Sequence, residues 1–142
     1  MLISARAHYA SLALLELAMR SEAGGPVTIR EISDRHGVPG PFLVQILRTL
    51  RTAGWVHSTR GSQGGYQLAI DASQISLLDI VEAVGCQESG SSRTDGKSTP
   101  ADELLQTVWD QAFDASRRVL AEARLSDLVE QAKHGDSTMF YI

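Results

Sequence analysis

Cysteine is nearly absent: Cys86 is the only one in 142 residues. An internal disulfide is therefore impossible, and so is a metal site built from one subunit's thiolates. The usage fits a reducing compartment. Long apolar runs are missing as well. No stretch approaches the roughly 18 to 20 uninterrupted apolar residues of a spanning helix. The opening MLISARAHYASLALLELAM is broken by Arg6, His8 and Glu16, and no small-residue cleavage site follows it. Neither a signal peptide nor a membrane partner is expected, and a cytoplasmic protein is. Catalytic signatures are lacking too. No serine, histidine and acid spacing resembles a hydrolase, and Gly61-Ser62-Gln63-Gly64-Gly65 has no Lys-Ser/Thr ending to make a phosphate loop. An enzyme is not expected, and there is no internal repeat.

The most informative absence is local. After Asp34 the next carboxylate is Asp71, while Arg48, Arg51 and Arg60, with His36 and His57, fall between them. A polyanion approaching this window meets only positive or neutral groups. The formal charge of -4 hides the asymmetry. Residues 1–70 carry 7 Lys and Arg against 4 Asp and Glu, a balance of +3, and residues 71–142 carry 6 against 13, a balance of -7. A basic front half suits a face turned to DNA, and an acidic back half suits solvent or a partner.

Periodicity and punctuation place the elements. From Ser4 to about Arg20, Tyr9, Leu12, Ala13, Leu15, Leu17 and Met19 form a broad apolar face, with Arg6, Ser11 and Glu16 on the remainder. Gly24-Gly25-Pro26 ends that helix. Thr28-Ile29-Arg30-Glu31 is a capping box that opens a second helix, which stops at Gly37. Pro41 suits the first position of a third helix, which closes at Ala53-Gly54. There Phe42, Leu43, Ile46, Leu47 and Leu50 are expected to turn inward. Val44, Gln45, Arg48, Thr49, Arg51 and Thr52 are left outward, a set suited to reading a groove and holding phosphates. Trp55 to Arg60 and Tyr66 to Ile70 read as two strands around a glycine turn. Ser76-Leu77-Leu78-Asp79 caps a short helix through Val84, and Thr99-Pro100-Ala101-Asp102 starts a long one. Its apolar stripe, Leu105, Val108, Trp109, Ala112, Phe113, Val119, Leu120 and Ala123, is that expected of a dimerising helix. A last short helix is expected from Ser126 to Lys133, and the tail Met139-Phe140-Tyr141-Ile142 is apolar enough to dock.

The fold class is thus mostly α with a small β-hairpin. A winged helix-turn-helix domain over residues 1–84 is followed by a loop over 85–98, then by a dimerisation helix and tail over 99–142. In such a domain the second helix of the pair enters the major groove, while the wing lies along the backbone or in the neighbouring minor groove.

The run from Pro41 to Ala69, PFLVQILRTLRTAGWVHSTRGSQGGYQLA, closely resembles the signature of the Rrf-two family of bacterial transcription factors. That family includes the iron-sulfur cluster regulator and the nitrite-sensitive repressor. The resemblance extends to SARAHYA from Ser4, EISDRHGVP from Glu31, SLLDIVEAV from Ser76, Trp109 on the long helix and Leu125 to Leu128. It implies a homodimeric repressor on a pseudo-palindromic, double-stranded operator. Carried over by position, Gln45 matches a base-contacting residue, Arg60 a wing arginine in the minor groove and Arg6 a basic position near the backbone. The DNA-facing set is then Arg6, Thr28, Pro41, Val44, Gln45, Arg48, Thr49, Arg51, His57, Ser58, Arg60, Gly61, Gln63, Gly64, Gly65 and Tyr66. The dimerisation set is Leu105, Val108, Trp109, Ala112, Phe113 and Leu120.

Two departures matter. Val44 stands where the cluster regulator has a discriminating glutamate; an apolar side chain cannot accept from cytosine but can touch a thymine methyl. Cluster-binding members also carry three cysteines in the loop before the dimerisation helix, and here Cys86 is alone. No iron-sulfur cluster or other cofactor is expected. An atypical site of Cys86, His8 and Glu88 is the weaker alternative, and control through a regulatory protein partner is another.

Overall fold

The computed structural model describes residues 3–62, 64–85 and 99–139, the last five of these by backbone only. Its elements run α1 (Ala5–Arg20), α2 (Ile29–His36), α3 (Gly40–Thr52), β1 (Val56–Thr59), β2 (Gly65–Leu68), a 3-10 turn (Ala72–Gln74), α4 (Leu77–Val84), α5 (Pro100–Glu122) and α6 (Leu125–Met139). The helical and hairpin expectations hold in kind. The strands are shorter than expected, α3 begins one residue early at Gly40, and α6 runs well past the expected short helix.

Side chains at the helix ends explain the boundaries. Ser4, Thr28, Ser76 and Thr99 each accept a hydrogen bond from a backbone N–H in the first turn of the helix they open. Thr28 and Ser76 complete the box, since Glu31 and Asp79 each accept from the backbone N–H of the cap residue. α2 ends at Gly37, whose φ of +67° only glycine adopts without strain. The chain then buries Val38 completely, and Ser33 Oγ donates to the Val38 carbonyl at 2.7 Å. That sharp turn sets α3 across α2.

One core holds these elements. Leu14 and Leu17 of α1, Ile32 of α2, Leu43, Ile46, Leu47 and Leu50 of α3, and Ile75 and Ile80 around α4 are all fully buried. Leu125 and Val129 of α6 enter the same cluster. The α5–α6 junction is pinned to the start of α4 by main-chain bonds, Leu77 N–H to Ala123 O at 2.9 Å and Leu125 N–H to Ile75 O at 2.8 Å. β1 and β2 pair antiparallel with His57 opposite Gln67 and Ser58 opposite Tyr66.

Three side chains depart from the sequence reading. Glu16, expected on the outer face of α1, is 1% exposed. His36, expected on the DNA-facing surface, is half-buried with Nε2 3.3 Å from Glu16 Oε2. Phe42, expected in the core, is 52% exposed. The first two share a cause: a buried carboxylate needs cationic or hydrogen-bonding partners. α2 supplies them as Arg35 and His36. Phe42 lies about 90° round α3 from the buried row, on the flank beside Tyr9.

Candidate nucleic-acid interface

α3 turns Leu43, Ile46, Leu47 and Leu50 to the core, which fixes what it shows outward. At 100° per residue, Pro41, Gln45, Arg48 and Thr52 lie along the outward midline. Phe42 and Thr49 flank it towards α1, and Val44 and Arg51 flank it towards the hairpin. Contacts confirm both flanks. Arg6 Nη2 of α1 donates to Thr49 Oγ1 at 3.1 Å, and the rings of Tyr9 and Phe42 lie 6.1 Å apart. On the other side Arg51 Nη1 reaches Ser58 Oγ of β1 at 3.5 Å. Pro41, Val44, Gln45, Arg48 and Arg51 are exposed, and Thr49 is half-buried.

Arg6 acts from behind this surface. Its guanidinium is half-buried, its Nε has no hydrogen-bond partner, and Thr49 in turn donates to the Gln45 carbonyl at 3.1 Å. The residue joins the first turn of α1 to the turn of α3 that carries Gln45.

The hairpin is held by its glycines. Val27, just before α2, makes two main-chain bonds to Tyr66, at 2.9 and 2.8 Å, and so backs β2 like a one-residue strand. Gly65 has φ +151°, and a Cβ on it would stand 2.5 Å from the Val27 carbonyl oxygen. A Cβ on Gly64 would collide with the Thr59 carbonyl oxygen. Gly61, at φ +112°, supplies the turn. These glycines let the wing close and seat against Val27. His57, Ser58, Arg60 and Gly61 are exposed along the wing, whereas Gly64, Gly65 and Tyr66 are half-buried. Gln63 lies outside the described residues.

Thr28 is exposed, but its hydroxyl is occupied by the cap of α2. The backbone N–H of Thr28 and the guanidinium of Arg20 hold the Glu31 carboxyl below the usual glutamate value.

The α2 frame is electrostatic at both ends. Arg20 reaches Glu31 at 3.3 Å and Glu16 at 4.0 Å, while Arg35 reaches Glu16 Oε1 at 3.4 Å. Oε1 takes these ion-pair contacts without an aligned hydrogen bond. Sequence reasoning missed this network. Its signal was the pairing of one helix-interior glutamate with Arg20 four residues on and with the Arg35-His36 pair.

The dimerisation candidates divide. Leu105, Val108, Trp109 and Ala112 are exposed, as are Leu104 and Val119 beside them, whereas Phe113 and Leu120 are half-buried. Leu120 packs on the protein's own core. His8 is exposed on α1 beside Tyr9, ring centroids 6.3 Å apart. Cys86, Glu88 and the tail Phe140 to Ile142 lie outside the described residues, as does the side chain of Met139. Among the described residues no helix is long and apolar enough to cross a membrane.

A helix-turn-helix with a seated wing and a carboxylate-free, arginine-bearing face defines the winged-helix class of DNA-binding proteins. Residues 3–131 match the Rrf2 family, described as iron-dependent transcriptional regulators. The chain belongs to that family. It is 37% identical over 134 residues to a Synechocystis protein assigned as an HTH-type transcriptional regulator, covering 94% of this chain and 90% of that one. To the IscR regulator of Cereibacter sphaeroides it is 33% identical over 136 residues, covering 92% and 88%. Among solved structures, T. potens IscR superposes with a TM-score of 0.76 at 31% identity, covering 95% of this chain and 90% of that one. CymR of B. subtilis, titled a global cysteine regulator, gives 0.77 at 29% identity, covering 92% and 98%.

Proposed function

We infer that this regulator is a homodimeric repressor that binds a pseudo-palindromic operator and works without an iron-sulfur cluster. The observation that carries the DNA reading is the outward face of α3. Gln45, Arg48 and Arg51 are exposed there and Arg60 is exposed on the wing, with no carboxylate between residues 35 and 70. In the dimer, α3 of each copy reads one half-site. Gln45 contacts a base, Arg48 and Arg51 hold phosphates, and Arg60 enters the minor groove. The exposed face of α5, with Leu105, Val108 and Trp109, supports pairing with a second copy, because apolar area of this kind gains stability when removed from water.

The donor set does not fit the family's iron chemistry. A three-thiolate site needs three cysteines, and each chain supplies Cys86 alone. His8 is an imidazole donor at the surface, far softer ligands being the rule for such clusters. Regulation therefore proceeds through another signal, and the chain acts as a regulator rather than an enzyme.

The test is selection from random duplexes, followed by titration of the chosen operator. Arg60→Ala should lower affinity, and its slope of log affinity against log salt should flatten by about one contact. Gln45→Ala should weaken binding by about 1 to 3 kcal/mol and relax preference at one position. Metal analysis of the same sample, purified anaerobically, should find no iron. A single enriched sequence bound equally well by both variants would overturn the site assignment.

A further inference from the structure

We propose that Phe42 and Val44, on the two flanks of the outward face of α3, each read a thymine 5-methyl group, so that the base pairs under α3 are predominantly A·T. This rests on the operator-binding reading above and names what that surface prefers. Phe42 is the unexpected member. Its ring is half in water, tilted 57° against Tyr9, which itself packs on the core. The contact with Tyr9 fixes one side of the ring and leaves the other open. Val44, 42% exposed, stands on the opposite flank of the same helical turn.

A recognition helix contacts base edges with its N-terminal residues. The first two turns of α3 span residues 40–47, and their exposed side chains are Pro41, Phe42, Val44 and Gln45. Three carry no hydrogen-bonding group, and the fourth is an amide. Guanine is commonly read by arginine or lysine through O6 and N7, and cytosine by a carboxylate accepting from N4. Neither residue type occurs in these turns. Glutamine pairs with adenine through N6 and N7, and apolar side chains touch the thymine methyl. The arginines come later, at positions 48 and 51, in the second half of α3. They supply the charge complementarity that selects DNA, rather than a protein, as the occupant of this face.

The experiment uses the full chain and its selected operator. Each thymine in a half-site is replaced by deoxyuridine, which removes only the 5-methyl group. At two positions per half-site affinity should fall about four-fold, the equivalent of one buried methyl group. Phe42→Ala should erase the loss at one of those positions and Val44→Ala at the other, each leaving the second intact. The deoxyuridine series needs no protein variant, so the idea can fail even where a variant does not fold. G·C-rich half-sites, or indifference to deoxyuridine throughout, overturn it while leaving the operator-binding reading standing. Sensitivity that survives in Phe42→Ala removes Phe42 from the reading face. Enrichment of no sequence at all defeats the operator-binding reading and this inference with it.

Discussion

Replacing Glu16 by glutamine keeps the shape of the side chain and deletes its charge. The carboxylate is 1% exposed, with Arg35 at 3.4 Å, His36 at 3.3 Å and Arg20 at 4.0 Å. Breaking a buried ion pair by removing one partner costs about 3 to 5 kcal/mol when the other charge is left stranded. Here it is not stranded. The Arg35 side chain is 54% exposed and that of Arg20 is 40% exposed, so both regain water on losing the carboxylate. The amide oxygen can still accept from His36 or Arg35, which retains roughly half the strength of the charged contact. The net loss for Glu16→Gln is therefore about 1 to 2 kcal/mol. Glu16→Ala also leaves a void where the Cγ methylene and the carboxyl group packed, for a total of roughly 2 to 4 kcal/mol.

Urea unfolding followed by far-ultraviolet circular dichroism measures both variants, at one fixed protein concentration because self-association of any kind adds to apparent stability. A double-mutant cycle with Arg35→Gln isolates the pair, and the expected coupling is about 0.5 to 1.5 kcal/mol. The order Ala below Gln follows from burial; Gln below wild type, and the coupling, follow from the ion pair. Glu16→Gln within about 0.5 kcal/mol of wild type, with an additive cycle, would refute the claim that this carboxylate locks α2 to α1.

Gly65→Ala should destabilise by about 1 to 3 kcal/mol, since φ is +151° and the added Cβ meets the Val27 carbonyl oxygen at 2.5 Å. Thermal unfolding reports the loss, and retention of wild-type stability would count against the seated wing. Val108→Asp places a charge on the exposed face of α5 and should shift sedimentation from dimer to monomer while leaving the helical signal intact. Glu31 adds an acid-side dependence. Its pKa is lowered by the cap, so its contribution is complete above the ordinary value of 4.5 and disappears as pH falls through the lower folded value. The stability difference between wild type and Glu31→Gln should be constant above that value and shrink on acidification.

Elements whose cause is local were legible in the sequence. Thr28 with Glu31 and Ser76 with Asp79 place their boxes within four residues, and Gly37 stops α2 with no help from the rest of the fold. The wing was legible as a hairpin for the same reason. What the glycines do there was not, because Val27 opposes Gly65 from 38 positions away. Glu16 and Phe42 failed for a related reason. Charge and apolarity predict the average side, but a carboxylate goes inside when Arg35 and His36 meet it, and a phenylalanine stays half out when it falls on the flank of the buried row beside Tyr9. The apolar stripe of α5 was legible as a stripe. Its division, with Leu120 on the protein's own core and Val108 open, depends on where α4 lies.

α1 carries the reading surface by bonds of different kinds, and their geometry limits how far it can move without moving α3. Glu16 and Arg20 hold α2 by charge, tolerant of an ångström or so because Coulomb attraction falls slowly with distance. Arg6 holds α3 by a 3.1 Å hydrogen bond to Thr49, which is lost beyond about 3.5 Å. The Thr49 hydroxyl also donates to the Gln45 carbonyl, so the backbone bearing the exposed Gln45 amide is braced through one hydroxyl. At the start of the same helix Ser4 Oγ donates to the carbonyl of Gly85, the residue that closes α4. Ser4 and Arg6 are within one turn, so a displacement of Gly85 and a displacement of Gln45 meet on three residues of α1. The tolerant ion pairs keep the helix-turn-helix together during such a shift, and the stricter hydrogen bond is the one that yields first.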